Sequence, residues 1–383
     1  MHSGLASIQS KAFRKQHNLW LAYASEMAAP ALRLAARATA RGSRTEPPQW
    51  RRGLILGHTH VGDVLYRTCS LPTLCDALPD CEWTYAVSGA SRAALHNNPD
   101  VDEILPVIRG ENSWDLVPGG FAELASRRFD VALCSNTLRH HPDLALATAL
   151  GIPNRVGFVG KGLSGLINHQ VALNFPDAYP GYFRSMVAAV AGRAADWPLT
   201  PRMYPSAGDQ AKASDLWKQF GFDASRLVVA CSLRTRQAKG NWPEDVLLSV
   251  LKAARNQREF DVVLCGAPSD EADMRSIASA LPFTAHILAG RAGLSEFAAF
   301  LSMCSALLTL DSGPRHIGNA MRIPVLFARN LSHSQVEAGR YCETETDLAP
   351  SAEHLKQAAT ESLARAQPVD RMSSVLLQKL GRR

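Results

Sequence analysis

No stretch of the sequence approaches the roughly 20 consecutive apolar residues of a membrane-spanning helix. There is no CxxC pair. The eight cysteines, at 69, 75, 81, 134, 231, 265, 304 and 342, are scattered, and the even spacing of Cys69, Cys75 and Cys81 fits neither a zinc knuckle nor a zinc ribbon. Cys134, Cys231 and Cys265 lie in apolar runs, where thiols behave as small buried hydrophobes, so all eight are expected to be reduced, in a cytoplasmic protein. Gly (26) and Pro (22) stand at average levels, which excludes collagen-like and low-complexity chains. The glycines of the loop Gly57–Asp63 have the wrong spacing for a GxGxxG dinucleotide fingerprint, and no internal repeat is visible.

Acidic residues are almost absent from the first 45 positions. Lys11, Arg14, Lys15, Arg33, Arg37, Arg41 and Arg44 stand there against Glu26 alone, a surplus that equals the net charge of the whole chain, +6. The remainder is neutral and has no basic excess with which to bind nucleic acid. This leader also lacks the roughly 7–15-residue apolar core of a secretory signal, because Glu26 follows closely on Leu19–Ala24. It suits a basic amphipathic helix lying on anionic lipid, with Phe13, Trp20, Leu21, Leu32 and Leu34 toward the acyl layer and a kink at Pro30. A helix docked on the body and a flexible extension suit it equally.

What the chain does have is material for cores. Of 383 residues, 46% are hydrophobic and 20% charged, and at roughly 100–200 residues per domain the natural count is two. From residue 53 short apolar runs alternate with helix-like segments. Strands are expected at Gly53–Gly57, Trp83–Val87, Glu103–Val107 and Asp130–Cys134. Beyond a proline-dense stretch they are expected again at Leu227–Cys231, Phe260–Cys265, Ala285–Leu288, Ala306–Leu310 and Pro324–Phe327. Short, continuously apolar strands point to parallel sheets covered on both faces. The expected fold is α/β, with two doubly wound Rossmann-like domains facing across a cleft. The expected boundaries are a basic helical leader (1–49), a first domain (50–196), a linker (197–205), a second domain (206–350) and a helical segment (351–383). Ligands of such sheets bind beyond the carboxyl ends of the strands.

Three strand-to-helix junctions could carry chemistry. In Leu308–Ala320 an apolar strand runs into Asp311-Ser312-Gly313, and a helix opens with Pro314. Gly313 allows a sharp turn and close approach of a ligand, and the helix start offers N–H groups to an anion. An ordinary capped turn, with Asp311 or Ser312 as the cap, would look the same. In Gly57-His58-Thr59-His60-Val61-Gly62-Asp63, Asp63 stands at a helix start, either as a cap or as a general base. In Arg234–Glu244, the cations Arg234, Arg236 and Lys239 share one loop and suit a diphosphate, or else a solvated surface. Arg139-His140-His141 could meet an anionic acceptor. Asp100-Val101-Asp102 is formally a DxD metal motif, but it leads straight into a strand and reads as a capped turn, so no metal site is expected.

Taken in order, these segments resemble glycosyltransferase family 9, which includes the ADP-heptose:lipopolysaccharide heptosyltransferases. The resemblance spans roughly residues 53–348. It is carried by VGDVLYRTCSLPTL (61–74), NNPDVDEIL (97–105), KGNWP (239–243), VVLCGAPSDE (262–271) and, most specifically, LDSGPRHIGNAMRIPVLFA (310–328). It implies a GT-B fold, with the acceptor on the first domain and the nucleotide-sugar donor on the second. It implies Asp63 as catalytic base, Lys239 on the donor phosphates, and Asp311, Ser312, Gly313 and His316 around the diphosphate. Two residues rather than one separate Lys239 from Trp242, which makes Arg236 an alternative to the lysine. The acid expected on the nucleotide ribose falls at Pro268, which leaves Asp270 or Glu271 to substitute. His58, His60, Arg139 and His140 are the candidate acceptor contacts. The leader is not part of the family pattern.

The expected function is inverting transfer of a sugar, heptose from ADP-heptose, to a lipopolysaccharide core or related glycan. The donor is a substrate, and neither a cofactor nor a metal is expected. The expected location is the cytoplasm, with peripheral contact to the inner face of the plasma membrane through the leader. Two other readings stay open on the residues alone. A non-catalytic nucleotide-sugar-binding module would need no base at Asp63. A nucleotide-sugar epimerase of the same architecture would need acid–base groups on both sides of the sugar, where only Asp63 is evident.

Overall fold

The structure is a computed structural model that describes residues 19–57, 59–110, 115–135, 142–160, 162–173, 178–235, 242–349 and 357–381. The chain divides into two compact units. One runs to Leu199 and the other begins at Thr200, with a short segment at Tyr179 counted to the second, where the Tyr179 N–H donates to the Val336 carbonyl at 2.7 Å.

The first unit is built on six strands, β1 (Arg52–Leu56), β2 (Glu82–Ser88), β3 (Glu103–Ile108), β4 (Val131–Cys134), β5 (Asn154–Phe158) and β6 (His169–Val171). Their spatial order is β3-β2-β1-β4-β5-β6 and every pair is parallel. In β1 and β4 Leu54, Ile55, Leu56 and all of Val131–Cys134 are buried, as expected of strands covered on both faces. The second unit repeats the plan with β7 (Val228–Ser232), β8 (Asp261–Leu264), β9 (Ala285–Ile287), β10 (Ala306–Leu310), β11 (Val325–Ala328) and β12 (Glu345–Asp347), in the order β12-β11-β10-β7-β8-β9, again all parallel. In each sheet the strand order reverses once, between β1 and β4 and between β7 and β10. Loops leaving these pairs at their carboxyl ends diverge, and the crevice they leave is where doubly wound sheets take ligands.

Three strands escape the expectations drawn from hydrophobic runs. β5 is Asn-Arg-Val-Gly-Phe, β6 has three residues, and β12 is Glu-Thr-Asp. No helix is long and apolar enough to cross a membrane among the described residues. All eight cysteines are free.

The leader needs correction. Its described part is not a separate body: helices Leu19–Met27 and Ala29–Thr39 lie on the first unit. Ala29 and Ala36 are buried, and Gly165 approaches so closely that a Cβ there would stand 2.4 Å from the Ala29 carbonyl oxygen. Glu26 turns inward, where its carboxylate accepts from the Ser164 hydroxyl and from the Ser164 N–H at 3.2 Å. Leu32 packs against the core and does not point outward. Pro30 sits in the first turn of the second helix, where its missing N–H costs nothing, so the chain breaks between two helices rather than kinking within one. The C-terminal segment is likewise no appendage. Helix Val369–Leu380 lays Met372, Leu376 and Leu380 into the core of the second unit.

Candidate active site

On the first unit, Gly57 follows the end of β1 without a left-handed backbone. A glycine is needed there for space, since a Cβ would lie 2.5 Å from Arg67 Nη2 and from Ser135 Oγ. The loop beyond it is fastened to the carboxyl ends of its neighbours. Thr59 Oγ1 donates to the Gly110 carbonyl after β3 (2.8 Å), and the Thr59 carbonyl accepts from Ser88 Oγ at the end of β2 (3.2 Å). Ser135, just past β4, donates through its N–H (3.0 Å) and its hydroxyl (2.6 Å) to the Leu56 carbonyl.

Helix Val61–Arg67 then begins with His60, not Asp63, at the N-cap position. Asp63 is the third helical residue, half-buried, and no described residue donates a hydrogen bond to its carboxylate. The reading of Asp63 as a capping residue is therefore set aside. The carboxylate stands in the first turn, where the helix dipole favours its negative charge. His60 is exposed. One turn beyond Asp63, Arg67 is buried, with Nη1 3.3 Å from the hydroxyl of the buried Tyr85. His58, Arg139 and His140 lie outside the described residues.

On the second unit, the loop after β7 contains Arg236 and Lys239, which also lie outside the described residues, but both of its ends are anchored. Arg234 pairs with Glu244 (3.3 Å) and Asp273 (3.5 Å). Trp242 is buried and its indole N–H donates to the Arg329 carbonyl, just past β11, at 3.2 Å. Asp270 and Glu271 follow β8 but are engaged locally. Asp270 accepts from the Ala267 N–H (2.8 Å), closing its own loop, and Glu271 pairs with Arg275 (2.5 Å).

The turn after β10 holds Asp311, Ser312, Gly313 and His316 together, at the start of helix Gly313–Ala320. Ser312 takes the N-cap position without a side-chain cap, and Gly313 has no left-handed φ, so the turn itself does not require a glycine there. The organising residue is Arg315, which sequence reasoning passed over. It is 1% exposed, and its five N–H groups meet five acceptors: Glu345 Oε1 (2.6 Å) and Oε2 (2.9 Å), Asp311 Oδ1 (2.7 Å), and the carbonyls of Ala338 (2.8 Å) and Gly339 (2.6 Å). Its guanidinium lies 3.7 Å over the Phe327 ring. One oxygen of Asp311 is thus committed to shaping the turn. Burial by itself would raise the Glu345 carboxyl, but the Arg315 charge, with hydrogen bonds from Arg315, the Tyr341 N–H and Asn319, holds it below its ordinary value.

No group of three or more His, Cys, Asp or Glu side chains among the described residues is arranged to hold a metal ion. Asp102 of the formal DxD accepts from the Trp83 N–H at 2.6 Å, at the amino ends of β2 and β3, away from the edge just described.

Comparison with known proteins agrees with this layout. The lipopolysaccharide heptosyltransferase 2 of Salmonella typhimurium is 25% identical over 289 residues, covering 71% of this chain and 81% of that protein. The lipopolysaccharide core heptosyltransferase OpsX of Haemophilus influenzae is 24% identical, covering 71% and 77%. Among solved structures, a family 9 glycosyltransferase from Veillonella parvula superposes with a TM-score of 0.74 at 17% identity, over 88% of this chain and 99% of that one. The ADP-heptose lipopolysaccharide heptosyltransferase II of E. coli gives 0.66 at 20%, over 86% and 98%. These likenesses identify the fold as GT-B. Residues 121–329, more than half of the chain, match the profile of glycosyltransferase family 9 (heptosyltransferase), and with the sheets and the β10 turn in place the chain belongs to that family and is a glycosyltransferase.

Proposed function

We propose that the chain transfers heptose from ADP-heptose to a lipopolysaccharide core or related glycan, with inversion at the anomeric carbon. One observation carries the reading: the segments that follow β1, β4, β7 and β10, the strands flanking both order reversals, hold Asp63, Arg139 and His140, Arg236 and Lys239, and Asp311–His316. The names of the curated relatives support the choice of sugar and acceptor. In this mechanism Asp63 takes the proton of an acceptor hydroxyl as that oxygen attacks the anomeric carbon. The bond to the diphosphate breaks on the opposite face, and a single displacement inverts the centre. The negative charge that gathers on the leaving ADP is met by Lys239 or Arg236, by the helix start at Gly313 and by His316. His58, His60, Arg139 and His140 are the candidate contacts to the acceptor, and Asp270 and Glu271 are weaker candidates for the ribose because both are locally engaged. The donor is a substrate, and no cofactor takes part.

Incubation with ADP-heptose and a heptose-deficient core acceptor is expected to release ADP in step with glycan product, with turnover retained in EDTA. Loss of turnover in EDTA, restored by a divalent ion, would replace the positive side chains with a metal. Failure to turn over any nucleotide sugar would remove the donor assignment.

The reading includes peripheral contact with the inner face of the plasma membrane. With Glu26 turned inward, the outward side chains of the described leader include Arg33, Arg37, Arg41 and Arg44 against Glu46 as the one exposed acid described there, with Met27 79% and Leu34 70% exposed. Deleting the leader would uncover the core around Ala36, so surface substitution is the cleaner test. Arg33→Glu with Arg37→Glu and Leu34→Ser is expected to abolish salt-sensitive flotation on anionic vesicles without altering the melting temperature. Equal flotation of variant and parent would end the membrane assignment.

A further inference from the structure

The Arg315 network reaches His316 through an ordered chain of hydrogen bonds. Glu345, held as a carboxylate, can only accept, so the group of Asn319 that lies 2.6 Å from Glu345 Oε1 is its NH2. The Asn319 oxygen faces the other way and accepts from Thr344 Oγ1 at 2.7 Å, which agrees with that orientation. The second hydrogen of the same NH2 then goes to the Tyr341 hydroxyl, at 3.0 Å. Tyr341 cannot return its own proton to a nitrogen that is already a donor. The acceptor within reach is His316 Nδ1, at 2.7 Å, on a ring stacked with the phenol at 5.5 Å between centroids. Burial, with the Glu345 charge beside it, pushes the phenol well above its usual range, so Tyr341 keeps its proton to donate.

We propose that Tyr341 is a positioning residue for the donor: by donating to Nδ1 it holds neutral His316 in the Nε2–H tautomer, so that the imidazole offers a proton rather than a lone pair to a diphosphate oxygen. This rests on the reading that the Asp311–His316 turn receives the donor diphosphate. A lone pair aimed at an anionic oxygen would repel it, and the opposite tautomer would lose the contact even with the ring in the same place. Among the described residues the donor and acceptor roles thus run from the buried Arg315–Glu345 pair outward, through Asn319 and Tyr341, to His316.

The test is histidine-ring 15N NMR on the full chain at neutral pH, with the His316 signal assigned by its disappearance in His316→Gln. The parent protein is expected to show His316 with its proton on Nε2. A proton on Nδ1 would overturn the proposal with no variant needed. Tyr341→Phe keeps the stacked ring but removes the donor. It is expected to admit the Nδ1–H form and to weaken ADP binding about tenfold, the scale of one hydrogen bond to a charged group. An unchanged tautomer together with unchanged ADP affinity in a folded Tyr341→Phe protein would also overturn it. The two readings separate through His316→Ala, which has no side-chain proton to offer. If that variant binds ADP as the parent does, the donor site itself is misplaced. If it binds weakly while Tyr341→Phe binds normally, only the role of Tyr341 falls.

Discussion

Asp63→Asn is expected to keep the melting temperature of the parent and to lose at least about 10²-fold in turnover. The two halves of this result come from different observations. His60, not Asp63, occupies the N-cap position, and no described residue hydrogen-bonds to the Asp63 carboxylate, so its loss breaks no cap. Asparagine is nearly isosteric and gives up only the small favourable term of an anion in a first helical turn, typically about 0.3–1 kcal/mol. Turnover depends on the charge directly, because an acceptor hydroxyl is a poor nucleophile at neutral pH until a positioned base takes its proton. ADP binding should survive, since the proposed donor residues belong to the other unit. An Asp63→Asn protein with near-normal turnover would leave no nameable base, and the mechanism would have to be withdrawn.

Arg315→Met is expected to cost about 3–5 kcal/mol, the usual consequence of removing one partner from a buried ion pair. Methionine fills part of the space beside Phe327 but leaves Glu345, whose side chain is 0% exposed, without its counter-charge, and frees two backbone carbonyls. For a unit of this size the loss corresponds to a melting temperature lower by roughly 6–20 °C, read by calorimetry. An acid titration separates the charge from the packing. The Glu345 carboxyl is held below its ordinary value of 4.5, so its contribution is fully present above that pH and is lost as pH falls through the lower, folded value. The stability advantage of the parent over Glu345→Gln should therefore narrow on acidification below about pH 4.5. A difference that stays constant with pH would mean that packing, not charge, makes this contribution.

How far the sequence could be read depended on whether a residue's partner was local. β1 and β4 are apolar throughout their buried length and β7 and β10 are so but for Ser232 and Thr309, and a parallel strand covered on both faces announces itself that way. β12 does the opposite. Glu345 and Asp347 are buried acids, tolerable only because Arg315 and Arg329, distant in sequence, are buried against them at 2.6 and 3.0 Å. No hydrophobic pattern marks such a strand. The one available signal was an arginine on the apolar side of a short helix, which reads equally well as a surface residue. Asp311 shows the same limit, since its position in the motif was legible but its commitment to Arg315 was not. Leu32 was placed toward lipid because amphipathicity says which residues share a face, not which face meets the protein. At Gly57 nothing local shows the need, which is room for a guanidinium that belongs to the next helix.

The placement of helix Val369–Leu380 also orders events in time. The sheet of the first unit is complete at Val171, and that unit ends at Leu199, so it has every residue it needs once Leu199 is made. The second unit has no such early finish, because Met372, Leu376 and Leu380, made after all six of its strands, are part of its core. At about 5–20 residues per second, the first unit has a head start of roughly 10–40 s over a partner that cannot close its core until Leu380 is made. During that interval β7, β8 and β10 are made one after another without their final cover. The second unit is therefore the half exposed to chaperones and to aggregation during synthesis, and a stop codon just after Pro368 would leave a finished first unit joined to a second that never closes.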